Sequence, residues 1–160
     1  MKNIVLTRID DRLIHGQVMT SWLNFTGANK IMVVDDVASK NLFLRTVLKN
    51  ATPAHVKVGV FSVQKAVERL LGKGFKTEDR VILLAKNPET IYSLLEAGCS
   101  LDPINIGGMG AAKGREKFYK NISISPEEKN LLRKMIARGI HVQIQMIAED
   151  TPEDVVSLLQ

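Results

Sequence analysis

A chain of 160 residues with 45% apolar and 24% charged positions has the makeup of an ordinary globular protein, long enough to bury roughly 70% of its extended surface. No apolar run approaches the roughly 20 residues of a membrane-spanning helix, no signal-peptide core follows Met1-Lys2-Asn3, and the lone Cys99 excludes an intramolecular disulfide; together these point to the cytosol. The net charge of +5 favours acidic partners, but the 22 Lys and Arg are scattered rather than gathered, which argues against nucleic-acid binding.

The aliphatic run at residues 4–7 predicts a first strand, and the helical pattern at 17–25 ends where Gly27 supplies a left-handed stop. A strand at 30–34 and a helix at 39–50 follow, then a strand at 56–61 and a helix at 63–71. The run Val81-Ile82-Leu83-Leu84, part of a strand at 81–85, lacks polar alternation and suits burial on both faces. Asn87-Pro88-Glu89 starts a helix at 88–97, stopped by Gly98. A short strand at 104–106 precedes Ser125-Pro126-Glu127-Glu128, which combines an N-cap, a proline at the first helical position and a capping-box glutamate, for a helix at 126–138 stopped by Gly139. The segment 141–147 alternates Val142, Ile144 and Met146 with Gln143 and Gln145, as a sheet-edge strand does, and Thr151-Pro152-Glu153-Asp154 opens a last helix at 152–159.

Strands alternating with helices define an α/β class: a three-layer α/β/α architecture with a mostly parallel open sheet and helices on both faces. With no repeat, linker or low-complexity segment, residues 1–160 are expected to form a single domain. Ligands of such sheets bind beyond the carboxyl ends of the strands. Two loops fall there: the one after the first strand and Gly107-Gly108-Met109-Gly110 after the fifth.

The first of these loops carries Arg8, Asp10, Asp11, Arg12 and His15 within eight residues. His15 precedes Gly16-Gln17-Val18, the expected first turn of a helix, whose unpaired N–H groups attract anions. The helix dipole and the arginines disfavour imidazolium, and a neutral ring nitrogen is a nucleophile. Arg12 can fork onto the oxygens of a phosphoryl group, and Arg8 can do the same or be neutralised by Asp10 or Asp11. One carboxylate can fix the imidazole tautomer while another aims an arginine; the sequence does not say which. The competing reading is a surface ion-pair network of small energetic consequence, with His15 bonded to loop backbone.

Gly107, Gly108 and Met109 are read as a partner or site loop, whose glycines let backbone approach a ligand or partner closely or else serve an ordinary flexible turn; the loop matches neither dinucleotide-binding nor P-loop spacing. Lys113, Arg115, Lys117 and Lys120 after it form either a basic rim for an acidic partner or an ordinary solvated loop. His55 and His141 have no companions at metal-ligand spacing, so no metal is expected. Cys99 and Trp22 read as core residues, and no serine sits in a nucleophile elbow.

The stretch Arg8-Ile9-Asp10-Asp11-Arg12-Leu13-Ile14-His15-Gly16-Gln17-Val18 resembles the signature of the EIIB components of the mannose/fructose/sorbose class of the bacterial phosphoenolpyruvate-dependent sugar phosphotransferase system. The likeness continues through residues 30–36, the Asn87-Pro88 helix start, Asn105-Ile106-Gly107-Gly108-Met109 and Ala137-Arg138-Gly139-Ile140, and so covers nearly the whole chain. The resemblance implies a phosphocarrier enzyme. His15 would take a phosphoryl group, on Nδ1, from a phosphohistidine of EIIA and pass it to a sugar entering through membrane EIIC and EIID components. Arg12 matches the family arginine that steadies the phosphoryl group; Asp10, Asp11, Arg8, Gly16 and Gln17 would bind or orient it, in roles the resemblance leaves open. It also implies no cofactor, a cytoplasmic location at the inner face of the membrane through the permease, and, with no EIIA-like segment before Met1, a stand-alone EIIB. The alternatives are a protein that binds a phosphorylated ligand without chemistry and one that uses phosphorylated His15 as a signal. Neither the sugar nor the oligomeric state is legible.

Overall fold

Alternation along each strand divides the apolar residues between two cores. Ile31 and Val33 with Ile82 and Leu84 face one side of the sheet, and Met32 and Val34 with Val81, Leu83 and Ala85 face the other. The computed structural model, which describes residues 1–160, builds this pattern into a seven-stranded sheet. Its strands are β1 (Ile4–Asp10), β2 (Lys30–Val34), β3 (Lys57–Phe61), β4 (Val81–Ala85), β5 (Ile104–Gly108), β8 (Val142–Ile144) and β9 (Glu153–Asp154), in the order β3-β2-β4-β1-β5-β8-β9. All neighbours pair parallel except β9, which runs antiparallel to β8. The apolar residues of α1 (Gly16–Thr26) and α3 (Leu42–Asn50) fill the smaller core on one face. Those of α4 (Val63–Glu68), α5 (Pro88–Glu96), α6 (Pro126–Ala137) and α7 (Val155–Leu158) fill the larger core on the other. This is the expected three-layer α/β class. No helix is long and apolar enough to cross a membrane.

Several boundaries differ from the sequence expectation, each for a local reason. β1 runs three residues further than predicted, to Asp10, because Arg8 and Asp10 are buried strand residues despite their charge. The predicted helix at 39–50 is two helices, α2 (Asp36–Ser39) and α3, since Asp35 and Asn41 each cap a separate start by accepting from Ala38 N–H and Leu44 N–H. α4 ends at Glu68 and continues as a π-helical turn, Arg69–Lys73. The segment 141–147 is ordered as a strand only over Val142–Ile144, and it is not the edge: β9 pairs outside it, which also delays the last helix until Asp154 caps it. The basic loop contains an unpredicted hairpin, β6 (Glu116–Tyr119) and β7 (Ile122–Ile124), whose buried Ile122 and Ile124 join the larger core. The capping box at Ser125 and Glu128 is present as read.

Candidate functional site

β1 lies at the centre of the sheet, and after an irregularity between Ile4 and Leu6 its residues of even number point toward α1. Arg8 and Asp10 therefore project to one face, and Ile9 packs into the core on the other. Arg8 has 1% of its side chain exposed. An arginine so buried must have its donors satisfied. Its Nη1 donates to Asn105 Oδ1 at 2.6 Å and to the Gln145 carbonyl at 2.8 Å; its Nη2 donates to the Met146 carbonyl at 2.7 Å and to Asp10 Oδ2 at 3.2 Å. The Trp22 ring lies against the guanidinium, 5.3 Å from Cζ to centroid, and its own Nε1–H donates to the Met146 carbonyl at 2.9 Å. Burial pulls the Arg8 pKa down to about 10, against the opposing pull of Asp10. Of the two fates open to Arg8 in the sequence, the structure has the second: it is neutralised by Asp10 and out of reach of a ligand.

The two glycines after β5's apolar residues owe their identity to these arginines. A Cβ on Gly107 would fall 1.9 Å from Arg8 Cζ, and one on Gly108 would fall 2.7 Å from Asp10 Oδ1 and 2.8 Å from Arg12 Nη2. Both glycines are buried, and they serve close side-chain passage rather than a ligand cradle. Met109 is fully buried in the larger core, so its side chain offers no surface to a partner.

Beyond Asp10 the chain turns sharply. Asp10 Oδ1 accepts from Arg12 N–H at 3.0 Å, Leu13 N–H donates to the Asp10 carbonyl at 2.9 Å, and Leu13 takes a left-handed φ of 57°. A leucine in that region costs about 1 kcal/mol, and burial of Leu13 and Ile14 in the smaller core holds the turn. Arg12 reaches back over Asp10 as a fork, Nε to Oδ1 at 2.9 Å and Nη2 to Oδ2 at 3.0 Å, with 41% of its side chain exposed and Nη1 uncommitted.

His15 is the N-cap of α1 by backbone, with no side-chain cap of its own. Its Nε2 is buried, has no hydrogen-bond partner and lies 3.7 Å from Asp10 Oδ2. The side chain as a whole is 31% exposed, so chemistry at the ring is left to Nδ1. Partial burial lowers the His15 pKa first, then the charge of Arg12; Asp10 pulls the other way. The imidazole is neutral near pH 7, as the sequence suggested, although burial leads the causes. Gly16 and Gln17 are exposed at the open end of α1, whose first turn contains no acidic residue.

Asp10 thus faces His15 Nε2 and holds both arginines. Asp11 does neither. Its Oδ2 accepts from Gly110 N–H at 2.7 Å and pairs with Arg115 at 3.4 Å, and Arg115 forks onto Glu128 at 2.9 and 2.8 Å. Burial opposes ionisation of Glu128, but its bonds from Arg115 and Ser125 hold the carboxyl below its usual range. Arg115, one of the four basic loop residues, is therefore a tie between the β5–β6 loop, the turn after β1 and the start of α6. Lys113, Lys117 and Lys120 remain exposed. Not read from sequence are the contacts of Asn105 and the Gln145–Met146 backbone with Arg8, and the further contacts of two residues otherwise read correctly, Trp22 as core and Glu128 as a helix cap. Asn105 had a signal, a lone polar residue between Ile104 and Ile106 in an otherwise apolar strand. No group of three or more His, Cys, Asp or Glu is placed to hold a metal ion.

Comparison with known proteins follows the same outline. Residues 4–160 match the family described as PTS system sorbose subfamily IIB component. The chain is 32% identical to the fructose-specific EIIB component of Bacillus subtilis (strain 168), over all of this chain and 98% of that one. It is 33% identical to the mannose-specific EIIAB component of Escherichia coli (strain K12), over 92% of this chain and 45% of that longer one. The crystal structure of the IIBSor domain of the sorbose permease from Klebsiella pneumoniae superposes with a TM-score of 0.89 at 30% identity, covering 98% of this chain and 96% of that one.

Proposed function

The chain belongs to the sorbose subfamily of phosphotransferase-system IIB components, and from that premise we propose that His15 is the residue on which it carries the phosphoryl group, through Nδ1. The protein is a phosphocarrier in sugar phosphotransfer, between EIIA and sugar. The fusion of EIIA and EIIB in the mannose-specific relative supports EIIA as the donor. EIIC and EIID are the membrane components to which the carrier delivers, at the inner face of the membrane, and residues 1–160 act as one domain.

The observation that carries the assignment is the sealed Nε2. Facing the Asp10 carboxylate at 3.7 Å, Nε2 is the favoured seat of the ring proton, which leaves the lone pair on Nδ1. In acceptance, that lone pair attacks phosphorus and the bond from phosphorus to the EIIA histidine nitrogen breaks, the leaving nitrogen keeping the electron pair. The His15 ring becomes positive, and the buried Asp10 stabilises it. Phosphoryl transfer depends chiefly on position and charge. Arg12 Nη1 and the first N–H groups of α1, beginning at Gly16 and Gln17, are the donors nearest the travelling oxygens. Arg8 acts one step behind, by holding Asp10. In delivery the sugar hydroxyl oxygen attacks phosphorus, the bond to Nδ1 breaks, and the hydroxyl proton is released.

The test is intact-mass measurement after incubation with phosphoenolpyruvate, Enzyme I, HPr and a matched EIIA. The wild type is expected to gain one acid-labile phosphoryl group and His15→Ala none, with the His15→Ala fold intact by circular dichroism. A His15→Ala protein that still carries such a group overturns the assignment.

A further inference from the structure

The sheet ends differently on its two sides. Each end strand bonds to one neighbour, but β9 is an antiparallel strand of two residues, whereas β3 presents an edge five residues long. Lys57 N–H donates to the Asn29 carbonyl at 3.1 Å, and the Phe61 carbonyl accepts from Asp35 N–H at 2.9 Å, so the odd-numbered residues of β3 turn their backbone groups inward. By alternation Val58 and Val60 present theirs to the open side. Two hollows flank this edge. One, of about 490 Å³, lies where β3 meets α4 and is lined by Lys40, Lys65, Arg69 and Lys73, with Glu68 its one carboxylate. The other, of about 380 Å³, lies along Val56–Val58 at the end of α3 and carries Lys49 and Lys57. α3 and α4 pack on opposite faces of the sheet. A strand laid against β3 would send alternate side chains to those two faces.

Unpaired backbone groups beside such hollows form a template for an added strand. Charge decides what can use it. Six cations and one carboxylate line the two hollows. A second copy paired edge to edge would bring like charges together, which is destabilising. We propose that the open edge of β3 docks an extended acidic segment of a partner protein, which adds as a further strand bonded to Val58 and Val60 and places carboxylates among Lys40, Lys65, Arg69 and Lys73. Three strand spacings of about 4.8 Å separate β3 from β1. A segment docked there leaves His15 uncovered, so the partner can stay attached while phosphoryl groups come and go. The docking site does not depend on the identity of the phosphorylated residue.

The test is an amide-resolved NMR titration of the whole chain at low salt with an acetylated, amidated octapeptide of alternating Glu and Val. The amides of Val58 and Val60 are expected to shift and gain protection from exchange. Lys65→Glu with Lys73→Glu, both exposed positions that leave the core untouched, is expected to weaken binding by about tenfold or more, with an unchanged spectrum elsewhere as the control of folding. A peptide of the same charge N-methylated at all four central residues, which blocks either strand direction, is expected not to bind. Unmoved Val58 and Val60 amides up to millimolar peptide overturn the proposal, leaving the lysines as guards against self-pairing. Equal binding by the N-methylated peptide overturns it as well, since attraction alone would then account for the contact.

Discussion

Arg8 and Arg12 both hold Asp10, at 3.2 and 2.9 Å, yet 1% of one side chain is exposed and 41% of the other. The difference follows from where strand ends and turn begins. Arg8 is fixed by the register of β1 against β5, opposite Asn105 and over Gly107, and belongs to the framework. Arg12 is on the turn, keeps a free nitrogen, and belongs to the exposed surface. One short charged stretch therefore has a half that is needed for the fold and a half available for chemistry, joined at a single carboxylate.

The largest break in that division is expected at the framework half. Arg8→Met leaves buried acceptors unpaired and is expected to cost about 3–5 kcal/mol; Gly107→Ala puts a methyl group into the Arg8 guanidinium and is expected to cost about 1–3 kcal/mol. Urea denaturation measures this, and a loss under 1 kcal/mol would put Arg8 with Arg12 as a dispensable ion pair. Next comes Arg12→Gln, expected to change stability by less than about 1 kcal/mol while slowing phosphoryl transfer by roughly 10²–10³. Rapid-quench measurement of transfer from phosphorylated EIIA separates the two effects, and equal damage to rate and stability would erase the distinction. The finest effect is on His15 itself. In the wild type its NMR titration is expected below the ordinary 6.5. Arg12→Gln removes a cause of lowering and moves the midpoint up; Asp10→Asn removes a cause of raising and moves it down. Phosphoryl acceptance, which needs the neutral ring, falls as pH drops through each midpoint. Shifts of the opposite sign would mean that Asp10 does not sense the ring.

Much of the framework was legible because it repeats. The strands at 30–34 and 81–85 were read to the residue from unbroken aliphatic runs, and α6 from its capping signals. What escaped depended on contacts between distant segments. Nothing local marks Arg8 as buried, since the acceptors that allow it come from residues 105, 145 and 146. The glycines were visible but their reason was not, because it lies in an arginine a hundred residues earlier. The hairpin of β6 and β7 was masked by its exposed lysines, although Ile122 and Ile124 alternate as a short strand should. Charge and spacing singled out His15 and Arg12 as members of a candidate anion site beside the reading of a plain ion-pair network, and the family resemblance supplied their phosphocarrier roles. The separate employment of Asp10 and Asp11 could not be, since adjacent aspartates look alike until the strand sends their side chains in different directions.

The sealed nitrogen of His15 also dictates an order of events. If His15 carries the phosphoryl group as proposed, one ring position is open to both giver and taker, and the two cannot occupy it together. The carrier would then work by turns at that nitrogen, and an excess of either unphosphorylated partner would slow the cycle by blocking the entrance.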